Sequence, residues 1–330
     1  MTELTFRESV TRALAEELER DDRVLVLGED VGAAGGVFQA TAGLFDRFGP
    51  RRVRDTPISE QAIVGCALGA SVTGLRPVAE IMFADFAGVC FDQIANQLAK
   101  YRYMTGGQTA VPVTIRMANG GGVGFAAQHS QSVENWFLNV PGLKICVPGT
   151  PADAYGLLKA AIRDDNPVLV FEHKQLYPER GPMPDGDDGP DSGIVEIGRA
   201  DVVRKGSDLT VVATQLMRKR ALAAAEVLTA EGIDVEVVDP RTLVPLDLET
   251  IIGSVAKTGR LVCVQECPPG GSWGATVVAA VVEQAWESLD MRPRLVSGDE
   301  TPIPYAGSLE DAWLPSVDRI VGALRDIATE

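Results

Sequence analysis

Short apolar runs of strand length alternate along the chain with longer stretches that have helical periodicity. Val24–Leu27 is a continuous apolar run, typical of a strand that is buried on both faces. Residues 3–20 instead repeat their apolar positions at helical spacing, as Leu14 and Leu18 illustrate. The alternation of the two patterns predicts an α/β fold with parallel sheets.

The same pattern predicts the remaining elements. Further strands are predicted at 77–83, 111–117, 143–147, 167–171, 209–213, 235–239 and 261–265. One helix is predicted to begin after Ser59, as its N-cap, and to run through 62–70. The other predicted helices are 86–104, 152–163, 218–231, 248–257 and 275–289.

The alternation of strands and helices stops once, at 175–198. Four prolines lie there among aspartates and glycines, and no apolar periodicity survives. This composition predicts a linker between two α/β domains. A chain of 330 residues is long enough for two domains, each with its own core.

The charge balance excludes one broad class of function. Lys and Arg total 30 and Asp and Glu total 46, so the formal net charge is −16. Nucleic-acid binding needs a basic surface, and we therefore expect no nucleic-acid partner. The acidic surface either serves solubility alone or attracts a basic partner protein.

Signals for membranes and secretion are missing from the pattern. The longest uncharged apolar stretch, Ala62–Leu75, has 14 residues, whereas a membrane span needs about 18–20. The first residues show no basic segment followed by an apolar one. None of the five cysteines forms a C-x-x-C pair, which argues against a zinc site or a disulfide framework. We expect no membrane contact and a reducing, cytoplasmic location.

Two glycine motifs fit known patterns but lack their context. Residues 122–127 fit G-x-G-x-x-A after a predicted strand, yet a polar segment follows, and the next strand lacks the acidic residue that would bind a ribose. Residues 270–274 fit G-x-S-x-G, but both histidines of the chain precede that serine, the reverse of the hydrolase order. The sequence therefore favours neither a dinucleotide site nor a serine hydrolase.

Two residues remain as candidates for proton chemistry. His129 follows a glycine-rich loop, and only one other histidine, His173, is available for proton transfer near neutral pH. Glu60 lies where a helix is predicted to begin. Both also have structural interpretations, His129 as a hydrogen-bonded loop residue and Glu60 as a first-turn carboxylate favoured by the helix dipole.

Several segments together resemble one family. They are Leu27–Val31, Pro57–Gln61, Gly122–Ser132, Pro141–Lys144, Ala160–Pro167 and Asp239–Pro245. In this order they are similar to the beta subunit of the thiamin-diphosphate-dependent component of 2-oxo acid dehydrogenases, a transketolase-like family that includes pyruvate, branched-chain and acetoin dehydrogenases. The resemblance extends over nearly the whole chain. It implies a pyrimidine-binding domain at 1–180, the acidic linker at 181–197 and a transketolase C-terminal-like domain at 198–330.

The resemblance also implies how the cofactor is bound. Glu60 matches the carboxylate that bonds to a pyrimidine nitrogen of thiamin diphosphate and favours its imino tautomer. Phe86 matches the aromatic residue that stacks on the pyrimidine, and Met82 matches another lining position. His129 matches the active-site histidine that acts on the intermediate or assists acyl transfer to the lipoyl group. Glu29 is implied as a member of an acidic proton relay.

A structural potassium ion is a further implication of the resemblance. In the family it is bound by main-chain oxygens, which suit a hard cation. The matching positions are Val113, Ala161, Ile162, Asp164 and Asn166. The alternative is an ordinary helix C-terminus before Asn166-Pro167.

One expected motif is missing, and this implies a partner. The family holds the Mg²⁺ and diphosphate of the cofactor through a Gly-Asp-Gly motif and a later Asn, and this chain has no Gly-Asp-Gly. The resemblance therefore implies half a site here, completed by an alpha subunit in an α₂β₂ assembly. It also implies that the second domain binds the subunit-binding domain of a lipoyl acyltransferase core, a partner that is often basic.

The resemblance predicts an oxidoreductase of EC 1.2.4 type that decarboxylates a 2-oxo acid, or cleaves acetoin, and passes the acyl group to lipoyl-lysine. The segment at 171–177 resembles acetoin-type members, 126–129 is shared by pyruvate and acetoin types, and 83–86 resembles branched-chain members. The substrate stays open between these classes. The alternative function is a catalytically decayed subunit that docks the alpha chain on the core.

Overall fold

The computed structural model describes residues 2–184 and 191–329. Residues 185–190 of the predicted acidic linker lie outside the described residues. The chain divides into two compact units, one formed by Met1–Asn119 with Trp136–Ile197 and the other by Gly120–Asn135 with Gly198–Glu330. The domain boundaries implied by the sequence stay a prediction.

The first unit contains a parallel sheet. Its strands are β1 (Glu3–Thr5), β2 (Val24–Gly28), β3 (Val53–Asp55), β4 (Arg76–Ile81), β5 (Thr114–Asn119), β6 (Lys144–Cys146), β7 (Val168–His173) and β8 (Arg180–Pro182). Its α-helices are α1 (Phe6–Arg20), α2 (Leu44–Phe48), α3 (Glu60–Val72), α4 (Ala99–Met104) and α5 (Pro151–Arg163). Six strands pair in the order β6-β7-β5-β4-β2-β3, all parallel, whereas β1 and β8 form a separate antiparallel pair.

Burial on both faces explains why these strands read as apolar runs. Every residue of β2, β5 and β7 is buried, as expected where helices cover both faces of a parallel sheet. The predicted helix at 3–20 begins later, because Glu3–Thr5 pairs as β1. Thr5 then caps α1: its hydroxyl accepts from the Glu8 N–H at 3.2 Å, and the Glu8 carboxylate accepts from the Thr5 N–H at 2.7 Å.

The helix predicted at 86–104 begins later than expected and then runs without a break from 91 to 104. The segment is a 3₁₀ turn at Ala84–Gly88, a π-helical stretch at Gln93–Leu98 and the short helix α4. The 3₁₀ turn is tightened by the Phe86 N–H donating to the Phe83 carbonyl and the Val89 N–H donating to the Phe86 carbonyl, both at 2.9 Å. This turn fixes Phe86 directly after β4.

The second unit repeats the α/β design. Its strands are β9 (Asp201–Arg204), β10 (Leu209–Ala213), β11 (Val235–Asp239), β12 (Thr242–Val244), β13 (Leu261–Val264) and β14 (Arg294–Val296). Its α-helices are α6 (Gln215–Thr229), α7 (Leu248–Thr258), α8 (Trp273–Ala285), α9 (Gly307–Trp313) and α10 (Val317–Thr329). Five strands pair in the order β14-β13-β10-β11-β9, and only the edge strand β9 is antiparallel to its neighbour. The predicted fold class, two α/β units with parallel sheets, is confirmed.

The sequence argues against a membrane-spanning helix and against a disulfide framework. Within residues 2–184 and 191–329, no helix combines the length and the apolar character needed to cross a membrane. All five cysteines are free thiols, and four of them are buried.

Candidate functional site

The carboxyl edge of the first sheet brings together residues that are distant in the chain. Strands β3, β2 and β4 are neighbours and run parallel. Glu29 follows β2, Glu60 opens the helix after β3, and Met82 follows β4. Ligands of open parallel sheets bind at this edge, where the strands end and the helices begin.

Glu29 and Glu60 interact through their charges. Glu60 is the half-buried first residue of α3, where the unpaired main-chain N–H groups favour a carboxylate. Burial raises the pKa of Glu29, and the negative charges of Asp30 and Glu60 raise it further. Ser59 precedes the helix as predicted, but its side chain makes no capping hydrogen bond.

Cys90 is a neighbour of Glu60 that sequence reasoning missed. Burial raises the pKa of the Cys90 thiol to about 12, and the charge of Glu60 contributes to this rise. The thiol lies 3.8 Å from the carbonyl oxygen of Phe86 and 3.7 Å from that of Ala87. A thiol held in its neutral form is a packing group beside Glu60 rather than a nucleophile.

Phe86 is the first of four aromatic rings that contact one another in succession. The Phe86 ring meets Phe83 edge-on with centroids 5.6 Å apart, and Phe83 meets Phe38 at the same distance. Phe38 in turn stacks on Tyr177 at 5.1 Å. Phe86 and Met82 are half-buried. Both follow β4, and the neighbouring parallel strand β2 is followed by Glu29, so they lie at the same edge of the sheet.

A buried ion cluster lies behind these rings, and no sequence pattern predicted it. Arg116 on β5 donates to both oxygens of Glu172 on β7 at 2.7 Å and to Glu80 on β4 at 2.6 Å. The Tyr177 hydroxyl donates to Glu172 at 2.9 Å. Burial and the charge of Glu172 raise the pKa of Glu80, whereas the Arg116 guanidinium lowers it. The cluster ties three central strands to the aromatic chain.

His129 belongs to the second unit, unlike the other predicted site residues. It lies half-buried in the loop 120–135, which closes where the Gly120 N–H donates to the Gln131 carbonyl at 3.2 Å. Gly122 and Gly124 adopt φ values of 86° and 76°, which favour glycine. The structure thus groups Glu29, Glu60, Met82 and Phe86 on one sheet edge and places His129 in the other unit.

The predicted potassium ligands lie just before β5, in the last turn of α5 and directly after α5. The Ile162 and Asp164 carbonyls both accept from the Arg76 guanidinium, at 2.8 and 2.7 Å, and the Val113 carbonyl accepts from the Val168 N–H at 2.9 Å. Carbonyl oxygens are ligands that suit a hard cation, and the potassium site at these positions stays a prediction. Burial alone would raise the pKa of Asp164, but hydrogen bonds from Lys144 and Asn166 to its carboxylate lower it overall.

Comparison with known proteins assigns the class. The transketolase pyrimidine-binding domain model matches residues 2–180, and the transketolase C-terminal domain model matches residues 198–320. Among solved structures, a split-gene transketolase described as an inactive beta4 tetramer matches with a TM-score of 0.78 and 27% identity, covering 99% of this chain and 98% of that chain. The fold is therefore that of the transketolase-like, thiamin-diphosphate-dependent proteins.

Similarity to individual named proteins assigns the chain to a narrower family within this class. The chain is 45% identical to the 2-oxoisovalerate dehydrogenase subunit beta of Bacillus subtilis, covering 99% of each chain. It is 45% identical to the acetoin:2,6-dichlorophenolindophenol oxidoreductase subunit beta of Cupriavidus necator, covering 98% of this chain and 96% of that protein. It is 44% identical to the pyruvate dehydrogenase E1 component subunit beta of Rhizobium meliloti, covering 99% of this chain and 70% of that protein. This chain belongs to the family of beta subunits of 2-oxo acid and acetoin dehydrogenase E1 components.

Proposed function

We propose that the chain is the beta subunit of an E1 component that oxidatively decarboxylates a 2-oxo acid, or cleaves acetoin, and transfers the acyl group to lipoyl-lysine. The observation that carries this proposal is the pairing of Glu60 with Glu29 at a sheet edge that also presents Phe86 and Met82. A carboxylate, an aromatic face and a thioether together fit an aminopyrimidine ring.

Each residue has a defined task at this edge. When bound, thiamin diphosphate supplies the nucleophilic carbon for the reaction. Glu60 would hydrogen-bond to a pyrimidine nitrogen of the cofactor and would favour the tautomer in which the cofactor can activate its own carbon. Phe86 packs against the pyrimidine face, and the Phe83 ring supports it from the edge. Glu29 holds a proton more readily than an exposed glutamate does, which suits a member of a proton relay.

The rest of the cofactor site is proposed to come from an alpha subunit. Within residues 2–184 and 191–329, no group of three or more His, Cys, Asp or Glu side chains could hold a metal ion. We propose that the alpha subunit supplies most of the Mg²⁺ and diphosphate ligands in an α₂β₂ assembly. The main-chain oxygens of Val113, Ala161, Ile162, Asp164 and Asn166 are the proposed K⁺ ligands.

His129 is proposed to act on the acyl intermediate or during its transfer to the lipoyl group. A neutral imidazole can accept and return a proton near pH 7. The second unit is proposed to bind the subunit-binding domain of the lipoyl acyltransferase core, with the net charge of −16 attracting a basic partner. Free cysteines support a reducing, cytoplasmic location.

The substrate is proposed only as a class. The three relatives described above are named for 2-oxoisovalerate, acetoin and pyruvate and are 44–45% identical to this chain, so identity does not separate them. We rank acetoin or pyruvate slightly above branched-chain 2-oxo acids, because residues 126–129 and 171–177 resemble the acetoin and pyruvate types.

Calorimetric binding of thiamin diphosphate with Mg²⁺ tests the proposal. The chain alone should bind weakly, and the chain co-expressed with its alpha subunit should bind tightly and decarboxylate one of the three substrates. Tight binding by the chain alone would contradict the shared site. A stable but inactive complex without cofactor binding would favour the docking-subunit alternative.

A further inference from the structure

The loop that carries His129 is held by two buried carboxylates of the second unit. Glu310 on α9 is 2% exposed, and its two oxygens accept from the main-chain N–H groups of Gly122 at 2.7 Å and Gly124 at 3.0 Å. Glu266, just after β13, accepts from the N–H of Gly121 and is 7% exposed. Three consecutive or near-consecutive amides thus donate to two side chains that lie more than 140 residues away.

The backbone of the loop is shaped for this contact. Positive φ angles at Gly122 and Gly124 turn neighbouring amides toward one side, which forms a concavity for an anionic group. Here the anion is the protein's own carboxylate. Bonds from amides to a charged acceptor are stronger than neutral ones, and burial of Glu310 keeps water from competing with them.

The other end of the loop is also anchored within the same unit. The Asn135 side-chain oxygen accepts from the main-chain N–H of Trp273, the first residue of α8, at 2.7 Å. The loop is therefore fixed at 121–124 by carboxylates and at 135 by a helix N-terminus. His129 lies in the chain between these two anchors.

We propose that Glu310, assisted by Glu266, is a positioning residue that holds His129 where it acts in acyl transfer. This inference rests on the proposed function of His129. Glu310 contacts the loop amides and not the histidine, so its effect reaches the reaction through loop geometry. A small displacement of a reacting group lowers rate steeply, whereas substrate binding elsewhere is unchanged.

The experiment compares Glu310→Gln with Asp311→Asn, an exposed carboxylate on the same helix. Glu310→Gln keeps the size but turns one acceptor into a donor that faces an amide. In the full chain, hydrogen exchange of the peptide spanning 120–135 should become at least about tenfold faster in Glu310→Gln and stay unchanged in Asp311→Asn. Glu310→Asp, which keeps the charge and shortens the side chain, is the second variant if Glu310→Gln does not fold.

The activity measurements use the assembly with the alpha subunit and include His129→Ala. In Glu310→Gln the rate of acyl transfer to lipoamide should fall about 10- to 100-fold, with little change in the KM of the 2-oxo acid or in the rate with an artificial electron acceptor. Unchanged exchange, or faster exchange with normal transfer, would overturn the inference.

The His129→Ala variant separates two failures. If His129→Ala loses transfer and Glu310→Gln does not, only the positioning by Glu310 is wrong. If Glu310→Gln loses transfer and His129→Ala does not, both the positioning of His129 and the role proposed for it are wrong. Should the wild-type assembly show no transfer at all, the proposed function fails, and normal exchange in Glu310→Gln would then also refute the anchoring of the loop.

Discussion

Two carboxylates on one sheet edge have different surroundings, which is consistent with the different tasks proposed for them. Glu60 opens α3, whose first amides favour a negative charge. Glu29 follows a strand instead, and burial together with Asp30 and Glu60 raises its pKa. The raised pKa of Glu29 suits a residue proposed to hold and pass on a proton.

Substitution of Glu60 tests its role in cofactor activation. Glu60→Gln should keep the fold and lower turnover of the assembly by roughly 100-fold or more, because a neutral amide favours the imino tautomer less. Steady-state decarboxylation with saturating cofactor measures the effect, and circular dichroism checks the fold. Asp92→Asn, an exposed carboxylate of the same unit, should retain normal turnover. Near-normal turnover in Glu60→Gln would contradict the assigned role.

Substitution of Glu29 changes how stability depends on pH. Because the pKa of Glu29 is raised in the folded state, its protonated form contributes stability that is fully present below the unfolded pKa, about 4.3, and is lost as pH rises through the folded value. Glu29→Gln stays neutral and should melt at a higher temperature than wild type at pH 7–8, with the difference vanishing near pH 4.

The control for this pH dependence is Glu3→Gln, which alters an exposed glutamate. Its melting temperature should follow wild type across the same pH range. Melting curves recorded by circular dichroism at several pH values suffice. A Glu29→Gln melting temperature parallel to wild type at every pH would show that the surroundings of Glu29 do not shift its pKa.

At the scale of elements, the central strands β4, β5 and β7 each carry a charged residue, although the mainly apolar sequence of these strands predicts apolar packing. Glu80, Arg116 and Glu172 face one another from β4, β5 and β7. Tyr177 connects Glu172 to Phe38 and so to the rings that end at Phe86. A buried ion cluster is weak support for stability by itself, but removing one member leaves uncompensated charge in a dry interior. The cluster therefore fixes the strands behind the site.

Removal of the central cation should destabilise the first unit strongly. Arg116→Met leaves Glu80 and Glu172 without their guanidinium, at an expected cost of about 3–5 kcal/mol in the free energy of unfolding. Urea unfolding measures it. Adding Glu80→Gln and Glu172→Gln to Arg116→Met should recover part of the loss, because the buried charges are then removed together. Arg47→Met, which breaks a pair with Glu19 in which both side chains are about half exposed, should leave the transition nearly unchanged.

At the scale of the whole molecule, the proposed site residues are divided between the two units, and the chain has a large negative net charge. The first unit supplies the carboxylates and aromatic rings of the sheet edge, and the second unit anchors the loop with His129. A net charge of −16 favours association with basic partners and makes that association sensitive to salt. Cofactor binding by the isolated chain should therefore be weaker than cofactor binding by the assembly.

Potassium dependence tests the proposed cation site in the assembly. An ion that binds only the native state stabilises it, so the melting temperature should be higher in KCl than in NaCl at equal ionic strength. The expected ligands include the Ile162 and Asp164 carbonyls, which also accept from Arg76. Differential scanning calorimetry in the two salts measures the difference. Identical melting in both would contradict a specific potassium site.

Local patterns were sufficient to predict the alternation of strands and helices. The bounds of β10 and β11 agree with the predicted strands, because strands buried on both faces are mainly apolar, although β11 also buries Glu236 and Asp239. The ends of some helices depend on short-range hydrogen bonds, and these ends were predicted less accurately. The Thr5–Glu8 capping box shifted the start of α1, and a 3₁₀ turn at Ala84–Gly88 delayed the start of the helix predicted at 86–104. The family resemblance, not periodicity, singled out Phe86 and Met82.

The sequence by itself determined the fold class and the family, because both depend on apolar periodicity and on motifs whose residues are neighbours in the chain. Only the tertiary structure decided which polar groups from distant parts of the chain contact each other. Arg116 and Glu172 are 56 residues apart, and Gly122 and Glu310 are 188 apart. No local pattern encodes such pairs, since each member alone looks like an ordinary polar residue. Their partners appear only when parallel strands align and when a glycine loop meets a distant helix.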